Sequence, residues 1–340
     1  MSFKFNNVSI ISVASIDAPN IVKSSEIEEE LAPTINKFGL RKNIIQELTG
    51  VIERRYWDIG TEPSEVATKA AILALEKANL DRKKVGVLIN TSVCKDYIEP
   101  SVASLVHGNL ELSENCLNFD IGNACLAFLN AIEIAGYMIE REQIEYALIV
   151  DGEGSRYIME HTIKRLLSPN VTQDVFRANF ATLTLGSGAT AMILGRSDNN
   201  ENSHKVIGGV SLAATKYNRL CLGQREEMIT DASNLLVAGL ELAYKTYQLA
   251  IKELEWDKKQ IDEIIIHQVS ATHTSKLIKT LNLDQEKVYK LYPNYGNVGP
   301  ASIPISLSKS IENGRIKQGD RVALLGIGSG LNCSMMEVIW

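Results

Sequence analysis

The stretch AAILALEKANLDRKKVGVLINTS, residues 70–92, points to the architecture because its order of features returns in residues 247–270, YQLAIKELEWDKKQIDEIIIHQVS. Each copy has apolar residues at helical spacing, then a polar turn, then a short apolar run typical of a buried strand. Asp81 and Asp257 occupy the matching turn in the two copies. Recurrence of a whole helix–turn–strand unit predicts a duplicated protein.

A second pair of matching units follows the first. NACLAFLNAIEIA (123–135) precedes YALIVDGEGS (146–155), just as NVGPASIPISLSKSI (297–311) precedes VALLGIGSG (322–330). The alternation of helices and apolar strands predicts an α/β fold with a mainly parallel sheet that is covered on both faces. The predicted strands are 85–90, 146–151, 263–268 and 321–326, and the predicted long helices are 64–80, 125–142, 234–255 and 304–314.

With 340 residues the chain exceeds the roughly 250–300 at which a single core usually stops growing. We therefore predict an N-terminal half, residues 1–196, and a C-terminal half, residues 197–340, with the boundary at the polar stretch 197–205. Residues 154–186 have no counterpart in the second half. An insertion of this size is typical of a lid, a substrate cover or a dimer contact, and the sequence does not choose among them.

Composition excludes several classes of function. The net charge of −6 argues against a nucleic acid as the main partner, because such sites need clustered Lys and Arg. No apolar run approaches the length of about 20 residues that spans a bilayer, and VSIISVASI (8–16) is typical of a first strand rather than a signal peptide. The cysteines are an odd set without a C-x-x-C pair: 94, 116, 125, 221 and 333. Free thiols in a reducing cytoplasm fit this pattern best.

Three polar residues fall at the carboxyl ends of predicted strands, where ligands bind in parallel α/β sheets. Cys125 follows the strand CLNFDI and opens a helix, whose N-terminus favours thiolate over thiol. Gly122 is expected to allow the tight entry that exposes the sulfur. His267 ends a strand and Asn297 lies in a Gly-rich turn, and both can donate hydrogen bonds to a developing oxyanion.

Each of these residues also has a simpler interpretation. Cysteine is often a small buried hydrophobe, a histidine that ends an apolar strand is often a core residue, and asparagine is common in turns. A Cys/His/Asn set is also used by cysteine proteases, so amide hydrolysis is a rival reaction. His273 comes six residues after His267, which is not the i, i+4 spacing of two metal ligands on one helix face, and we expect no metal site.

Four motifs in order resemble the thiolase superfamily, specifically its ketoacyl synthase III-like branch: NACLAFLN, IIIHQVS, NYGNVGPASIP and GIGSG. The resemblance covers essentially the whole chain, including GVIERRYW near residue 50. It implies a duplicated, five-layered αβαβα thiolase fold with two mixed, mainly parallel sheets, and a homodimer. It also implies acyl-CoA or acyl-carrier thioesters as substrates, with no tightly bound cofactor.

The resemblance further implies a role for each matching residue. Cys125 would be the acylated nucleophile, and His267 and Asn297 would hold the enolate or thioester oxygen. The backbone N–H groups of Cys125 and Ser329 would form a second oxyanion hole.

Three further stretches are similar to the head-to-head acyl-condensing (OleA-type) enzymes of bacterial olefin biosynthesis: TSVCKDYIEPSVASLVHGNL, ALIVDGEGSR and FATLTLGSGATAMILG. In that subfamily the glutamate that matches Glu99 reaches into the partner subunit's active site and acts as a base. Joining two acyl thioesters without decarboxylation requires removal of an α-proton, for which a carboxylate is suited. Alternatively, Glu99 is an acid beside Pro100 at the first position of a helix.

One departure from the family pattern concerns coenzyme A. Synthase III enzymes carry Trp and Arg where this chain has Ile44 and Leu48. This weakens a priming-synthase function and leaves the mode of carrier binding open. Three functions therefore remain in order of preference: non-decarboxylative condensation of two acyl-CoAs, decarboxylative extension with malonyl thioester, and a thioester hydrolase or acyl-binding subunit.

Overall fold

A computed structural model describes residues 1–197, 204–257 and 260–340 of the chain. Most of the predicted boundary between the halves, residues 198–203, lies outside the described residues.

The first half begins with a strand-rich segment and continues with alternating helices and strands. Its strands are β1 (Ser2–Lys4), β2 (Val8–Asp17), β3 (Asn20–Lys23), β4 (Glu53–Tyr56), β5 (Val85–Asn90), β6 (Leu117–Asp120), β7 (Tyr146–Glu153) and β8 (Gly188–Arg196). Its helices are α1 (Ser24–Glu30), α2 (Ala32–Lys37), α3 (Ile44–Thr49), α4 (Pro63–Ala78), α5 (Val102–Asn109), α6 (Ala127–Glu140), α7 (Arg156–Leu166) and α8 (Gln173–Asn179).

The second half repeats the alternation with fewer elements. Its strands are β9 (His204–Ala213), β10 (Cys221–Gly223), β11 (Met228–Thr230), β12 (Glu263–Ile266), β13 (Arg321–Gly328) and β14 (Asn332–Ile339). Its helices are α9 (Ala232–Glu253), α10 (Ala271–Leu281), α11 (Tyr292–Tyr295) and α12 (Ser302–Glu312). The predicted strands and long helices are confirmed, with ends that differ by about two residues or less.

One mixed sheet of ten strands runs through both halves in the order β12-β13-β14-β9-β2-β8-β7-β5-β6, with β1 added beside β9. The β5–β6, β5–β7 and β12–β13 pairs are parallel, and the strands between these groups pair antiparallel. The two sheets expected from the sequence are thus joined edge to edge. The junction is a short pairing of Ser9 with Lys205 and of Ile10 with His204, which satisfies backbone groups that two separate sheets would leave open.

The strand order is the same in the two halves. In the first half it is β6-β5-β7-β8-β2, and in the second β12-β13-β14-β9 is extended beyond β12 by a parallel bridge from Ile264 to Val288. We number the strands of this sheet along the chain in each half, counting the bridge at Val288 as a strand and leaving out β1. The order across the sheet is then third, second, fourth, fifth, first in both halves. The helix–strand units α4–β5 and α9–β12 occupy equivalent places, as the repeat in the sequence predicted.

Three apolar clusters show how the layers stack. Helices α6 and α12 bury one face of both halves of the sheet in a central cluster that includes Phe128, Leu129, Ile303 and Leu307. Helices α4 and α5 cover the outer face of the first half, and α9 and α10 cover that of the second. Successive strand residues alternate between inner and outer clusters, as the period of a strand requires. The five-layered αβαβα arrangement is confirmed.

The insertion at 154–186 folds into α7, α8 and a 3₁₀ turn at Phe180–Thr184. It shares a separate apolar cluster with the segment that contains α1, α2 and α3, and Thr34 Oγ1 donates a hydrogen bond of 2.6 Å to the Leu166 carbonyl. The insertion is therefore part of a lobe beside the layered core. No helix in the described ranges combines the length and the apolarity that crossing a bilayer requires.

Candidate active site

A tight turn presents Cys125 immediately before α6. Leu126 N–H donates to the Asn123 carbonyl and Ala127 N–H to the Ala124 carbonyl, both at 3.1 Å. The helix begins at Ala127 with Leu126 as its N-cap, two residues after the predicted start, so Cys125 lies in the turn just before the helix. The left-handed position in the turn is Ala124, at φ +46°. Such a conformation in a non-glycine residue persists only where its surroundings enforce it. A Cβ on Gly122 would meet nothing within 4 Å and its φ is not positive, so the tight entry does not depend on that glycine, contrary to expectation.

The end of β13 packs directly against this turn. A Cβ on Gly328 would lie 2.9 Å from the Asn123 carbonyl oxygen and 3.1 Å from the Leu126 nitrogen, so only glycine fits there. Asn332 Nδ2 adds a hydrogen bond of 3.1 Å to Asn123 Oδ1. Ser329, the next residue after Gly328, is half-buried in the turn between β13 and β14. The backbone proposed for an oxyanion hole therefore lies beside the Cys125 turn.

His267 follows β12 directly, and its N–H donates to the Leu325 carbonyl on β13 at 2.9 Å. Its side chain is only 3% exposed. Burial, and then the neighbouring His273, lower the pKa of His267 to about 3. The imidazole is therefore neutral at pH 7, which lets one ring nitrogen donate a hydrogen bond while the other accepts. This agrees with the expected role of a neutral donor.

Asn297 is held on both sides by the end of the insertion. Its N–H donates to the Thr184 carbonyl at 2.8 Å, and its carbonyl accepts from Gly186 N–H at 2.9 Å. A Cβ on Gly296, which has φ +66°, would lie 2.2 Å from the Thr184 oxygen. The side-chain Oδ1 accepts a hydrogen bond of 3.1 Å from Gly299 N–H, which leaves the amide nitrogen as the group that can donate to a ligand.

Cys125 keeps some contact with solvent, but its surroundings do not favour an anion. Burial first, then Glu153 and Cys221, raise the pKa of the thiol to about 12. The prediction of a resting thiolate was therefore wrong, because desolvation and a nearby carboxylate outweigh the partial charge at the start of α6. The thiol must therefore lose its proton as it attacks, while the neutral imidazole of His267 serves as a hydrogen-bond donor.

Glu99 lies in the loop between β5 and α5, and in this single chain it is exposed. Helix α5 begins at Val102 with Ser101 as its N-cap, which accepts a hydrogen bond of 3.1 Å from Ser104 N–H. Pro100 thus precedes the N-cap, and the interpretation of Glu99 as an acid at the first helical turn was wrong. Its neighbours Tyr97 and Ile98 are 58% and 99% exposed. The tip of this loop therefore projects from the protein.

The Cys125 turn packs against the end of β13, and His267 follows β12 and bonds to β13. Asn297 is hydrogen-bonded to Gly299, where a Cβ would lie 3.5 Å from Glu153 at the end of β7, while Glu99 lies on an exposed loop. Ile44 is half-buried and Leu48 is 54% exposed on α3, which contacts α10 through a hydrogen bond from Thr272 Oγ1 to the Leu48 carbonyl. Among the residues that the structure describes, no cluster of His, Cys, Asp or Glu is arranged to hold a metal ion.

Two buried polar residues near the site were missed from the sequence. Gln268 accepts from Leu291 N–H at 2.8 Å and donates to the Tyr289 carbonyl at 2.6 Å, which fixes the segment leading to Asn297. Glu153 ends β7 and is 4% exposed. A signal was present for Glu153, because an acid that follows an apolar run lies at the carboxyl edge of the sheet, where ligands bind.

The chain matches two parts of one protein family. Residues 119–214 match 3-oxoacyl-[acyl-carrier-protein] synthase III, and residues 251–340 match the C-terminal part of the same family. Together these segments cover more than half of the chain.

Relatives that match over almost the whole chain agree with this. The acyl-CoA:acyl-CoA alkyltransferase of Xanthomonas campestris is 48% identical over 336 residues, which cover 99% of each chain. That of Shewanella oneidensis is 36% identical and covers 99% of this chain and 100% of the relative. The β-ketoacyl-[acyl-carrier-protein] synthase III of Natranaerobius thermophilus is 26% identical over 95% of this chain and 96% of its own.

The fold agrees with solved structures of Xanthomonas campestris OleA. The cerulenin-bound protein superposes with a TM-score of 0.98 at 48% identity and covers 99% of this chain and 98% of its own. A variant with bound lauric acid and lauroyl-CoA superposes with a TM-score of 0.97 and covers 99% and 100%. The chain belongs to the synthase III-like branch of the thiolase superfamily, in the family of the acyl-CoA:acyl-CoA alkyltransferases.

Proposed function

We propose that the protein is an acyltransferase that joins two acyl-CoA molecules by a non-decarboxylative Claisen condensation. The observation that most supports this proposal is that segments packed at the ends of β7, β12 and β13 carry a thiol, a neutral buried imidazole and an oriented carboxamide. Relatives at 48% and 36% identity are named acyl-CoA:acyl-CoA alkyltransferases, and one solved relative holds lauroyl-CoA.

In the first step Cys125 Sγ attacks the carbonyl carbon of one acyl-CoA. The bond to the CoA sulfur breaks, and the proton lost by the thiol goes to that sulfur, so that CoA leaves as the thiol. The backbone N–H groups of Cys125 and Ser329 stabilise the oxyanion that develops. Because the thiol has a raised pKa, proton removal has to accompany the attack.

In the second step Glu99 removes an α-proton from a second acyl-CoA. His267 and Asn297 donate hydrogen bonds to the enolate oxygen, and the α-carbon attacks the acyl group on Cys125. A carbon–carbon bond forms and the bond to the sulfur breaks, so that Cys125 leaves as a thiolate. The proton taken up by Glu99 returns to this sulfur, and the β-ketoacyl thioester is released as such or hydrolysed. A carboxylate base is required because no carboxyl group is lost to generate the carbanion.

Glu99 would act in a homodimer, on the active site of the neighbouring subunit. Strand β6 is an edge of the sheet, and its Leu117 is 53% exposed. The adjacent loop exposes Val93, Tyr97 and Ile98. An open sheet edge beside exposed apolar side chains favours pairing with a second copy, and the projecting loop would then enter that copy.

The spacing of variants in the solved relative supports these roles. Structures of that protein carry replacements of one glutamate, one cysteine and one histidine. The intervals between these three positions along its chain are the same as those between Glu99, Cys125 and His267 here.

The test is to incubate the purified protein with lauroyl-CoA alone and to analyse intact mass and extracted products. An acyl adduct on Cys125 is expected, followed by a β-ketoacyl product with twice the carbon number of the lauroyl chain, or by the ketone that this product forms on hydrolysis and loss of CO₂. If product appears only when malonyl-CoA is added, the non-decarboxylative reaction is excluded.

A second candidate, decarboxylative extension with malonyl thioester, is favoured by the match to the synthase III family. In that reaction Glu99→Ala would retain most activity. A third, thioester hydrolysis or acyl binding, would give an adduct that only hydrolyses, or no adduct.

We further propose that the protein is cytoplasmic, since all five cysteines are free, that its halves meet near residues 197–205, and that it needs no tightly bound cofactor.

A further inference from the structure

Glu153 is a buried carboxylate that the proposed reaction does not use. It ends β7, two residues after the buried Asp151, and protein surrounds it almost completely. Trp57 Nε1 donates to its backbone carbonyl at 2.9 Å. A buried charge of this kind is costly unless hydrogen bonds compensate it, so its partners indicate what it is kept for.

Its first partner is the start of the loop that carries Glu99. Val93 N–H donates to Glu153 Oε1 at 2.6 Å, and the Cys94 thiol donates to the adjacent Gly154 carbonyl at 3.6 Å. Just before them, Thr91 Oγ1 donates to Asp151 at 2.5 Å. The start of the loop is therefore bound to the end of β7 at successive residues.

The middle of the loop is also fixed. Lys95 Nζ lies 2.9 Å from Asp120, and Asp96 accepts hydrogen bonds of 2.6 and 3.1 Å from the hydroxyl and N–H of Ser64. Beyond Asp96 the side chains of Tyr97 and Ile98 are exposed. The loop thus has an anchored base and a projecting tip, and the position of Glu99 depends on the anchors.

The other side of Glu153 faces the nucleophile site. A Cβ on Gly299 would lie 3.5 Å from Glu153 Cδ, and Gly299 N–H is the group that orients the Asn297 amide. Glu153 is also the charged group with the largest effect on the Cys125 thiol. One carboxylate therefore contacts or acts on the segments that carry Glu99, Asn297 and Cys125.

We propose that Glu153 is a positioning residue that sets the Glu99 loop in place relative to the cysteine site of its own subunit. This rests on the proposed function, in which Glu99 is the base of the condensation step. In the proposed dimer, Glu153 would link the site that holds one acyl group to the loop that serves the other site.

The titratable groups that face Glu153 are Asp151 on the same strand, Cys94 on the loop and Cys125 on the turn before α6. Burial raises the pKa of Glu153 to about 7, so the carboxylate is ionised in the alkaline range where the thiol titrates. Replacing it by an amide removes the negative charge, and the pKa of Cys125 is expected to fall.

The test compares Glu153→Ala and Glu153→Gln with the control Glu337→Gln, in full-length dimeric protein. Glu337 is similarly buried but lies in the second half, bonded to Trp256 and Arg321. Each variant is given lauroyl-CoA, and acyl-enzyme formation and condensation are measured separately. In Glu153→Ala we expect acylation near the wild-type rate and condensation reduced by about 100-fold, the effect of a misplaced catalytic group. Glu153→Gln keeps an oxygen for Val93 N–H, and we expect condensation within about tenfold of wild type.

A separate measurement follows alkylation of Cys125 by iodoacetamide against pH, with the modified peptide quantified by mass. In Glu153→Gln the inflection is expected at lower pH than in wild type and in Glu337→Gln. An unchanged inflection, or equal losses of acylation and condensation in Glu153→Ala, would overturn the proposal. If Glu153→Ala does not fold, Glu153→Gln carries both measurements. Failure of wild-type protein to condense lauroyl-CoA would count against the proposed function, while the alkylation result would still decide the link between Glu153 and Cys125.

Discussion

The two halves of the protein share one strand order, but they supply different chemistry at the same edge of the sheet. In the first half, β7 ends in the buried acids Asp151 and Glu153, and the turn before α6 carries the Cys125 thiol. In the second half, β13 ends in glycines, β12 is followed by His267, and the segment before α12 carries Asn297. The same strand order thus carries acids and a thiol in one half, and an imidazole and a carboxamide in the other.

The connections after equivalent strands differ as well. Strand β12 leads within a few residues into α10, whereas β5 is followed by a longer loop, 91–101, whose tip is exposed. A short connection holds His267 next to the core. A long one that is anchored up to Asp96 and exposed beyond it can carry Glu99 away from its own subunit. The difference in loop length therefore separates a residue that acts locally from one that we propose acts across an interface.

Removing the nucleophile of the first half should have the largest effect. In Cys125→Ala no acyl group can be attached, and we expect condensation to fall by at least about 1,000-fold, with no adduct by intact mass after exposure to lauroyl-CoA. Cys221→Ala removes a thiol that influences Cys125 but forms no acyl-enzyme, and it serves as the matched control. Full activity in Cys125→Ala would contradict the assignment of the nucleophile.

Removing the base on the long loop should be nearly as damaging, but at a different step. Glu99→Ala is expected to form the acyl-enzyme normally and to lose about 100- to 10,000-fold in condensation, while the exposed Glu114→Ala should behave as wild type. If Glu99 serves the other subunit, part of the activity should return when Glu99→Ala and Cys125→Ala are unfolded, mixed and refolded together, because mixed dimers then contain one complete site. No restoration, with mixed dimers demonstrated, would place the base in its own subunit.

Removing one neutral donor from the second half should cost less. Asn297→Ala leaves His267 as the remaining side-chain donor to the enolate, and a loss of about 100- to 1,000-fold in kcat is expected, as for other oxyanion donors. Acylation of Cys125 should change little, because the backbone N–H groups serve that step. A loss confined to acylation, measured as CoA release, would reverse the proposed division of labour.

The smallest effect concerns the free energy of unfolding. Its dependence on pH should have opposite signs for the buried histidines of the second half and for Glu153 in the first half. Folding lowers the pKa of His267 to about 3 and that of His273 to about 4. Below the ordinary histidine pKa of about 6.5 the unfolded chain therefore binds more protons than the folded one. The contribution of these histidines to the free energy of unfolding thus rises with pH up to that value. Folding raises the pKa of Glu153 to about 7, so its contribution is present below the ordinary glutamate pKa of about 4.3 and is lost as pH rises through 7.

The measurement is the free energy of unfolding in urea between pH 4 and 8. Glu153→Gln should remove a decline of roughly 1–3 kcal/mol from the upper part of this range, and His273→Gln should reduce the rise in the lower part. Parallel curves for wild type and both variants would show that these groups do not differ in protonation between the folded and unfolded chains.

Much of the site was predictable from local sequence. Cys125 and His267 follow strands that apolar runs define, so their place at the carboxyl edge of the sheet could be anticipated, whereas Asn297 follows the short helix α11 and not a strand. The protonation of Cys125 could not, because it depends on burial and on Glu153, which lies beyond α6 at the end of another strand. The left-handed Ala124 was also missed, because alanine rarely adopts a positive φ and only its surroundings in the fold enforce one here.

The sequence by itself determined the duplication, the positions of the long helices and strands, and the residue types available for chemistry, because periodicity and turn composition act over a few residues. Only the tertiary structure decided that the two halves share one sheet, that a carboxylate faces the thiol, and that Glu99 projects outward. Those features arise from contacts between segments far apart in the chain, where desolvation and packing rather than local preference set the outcome.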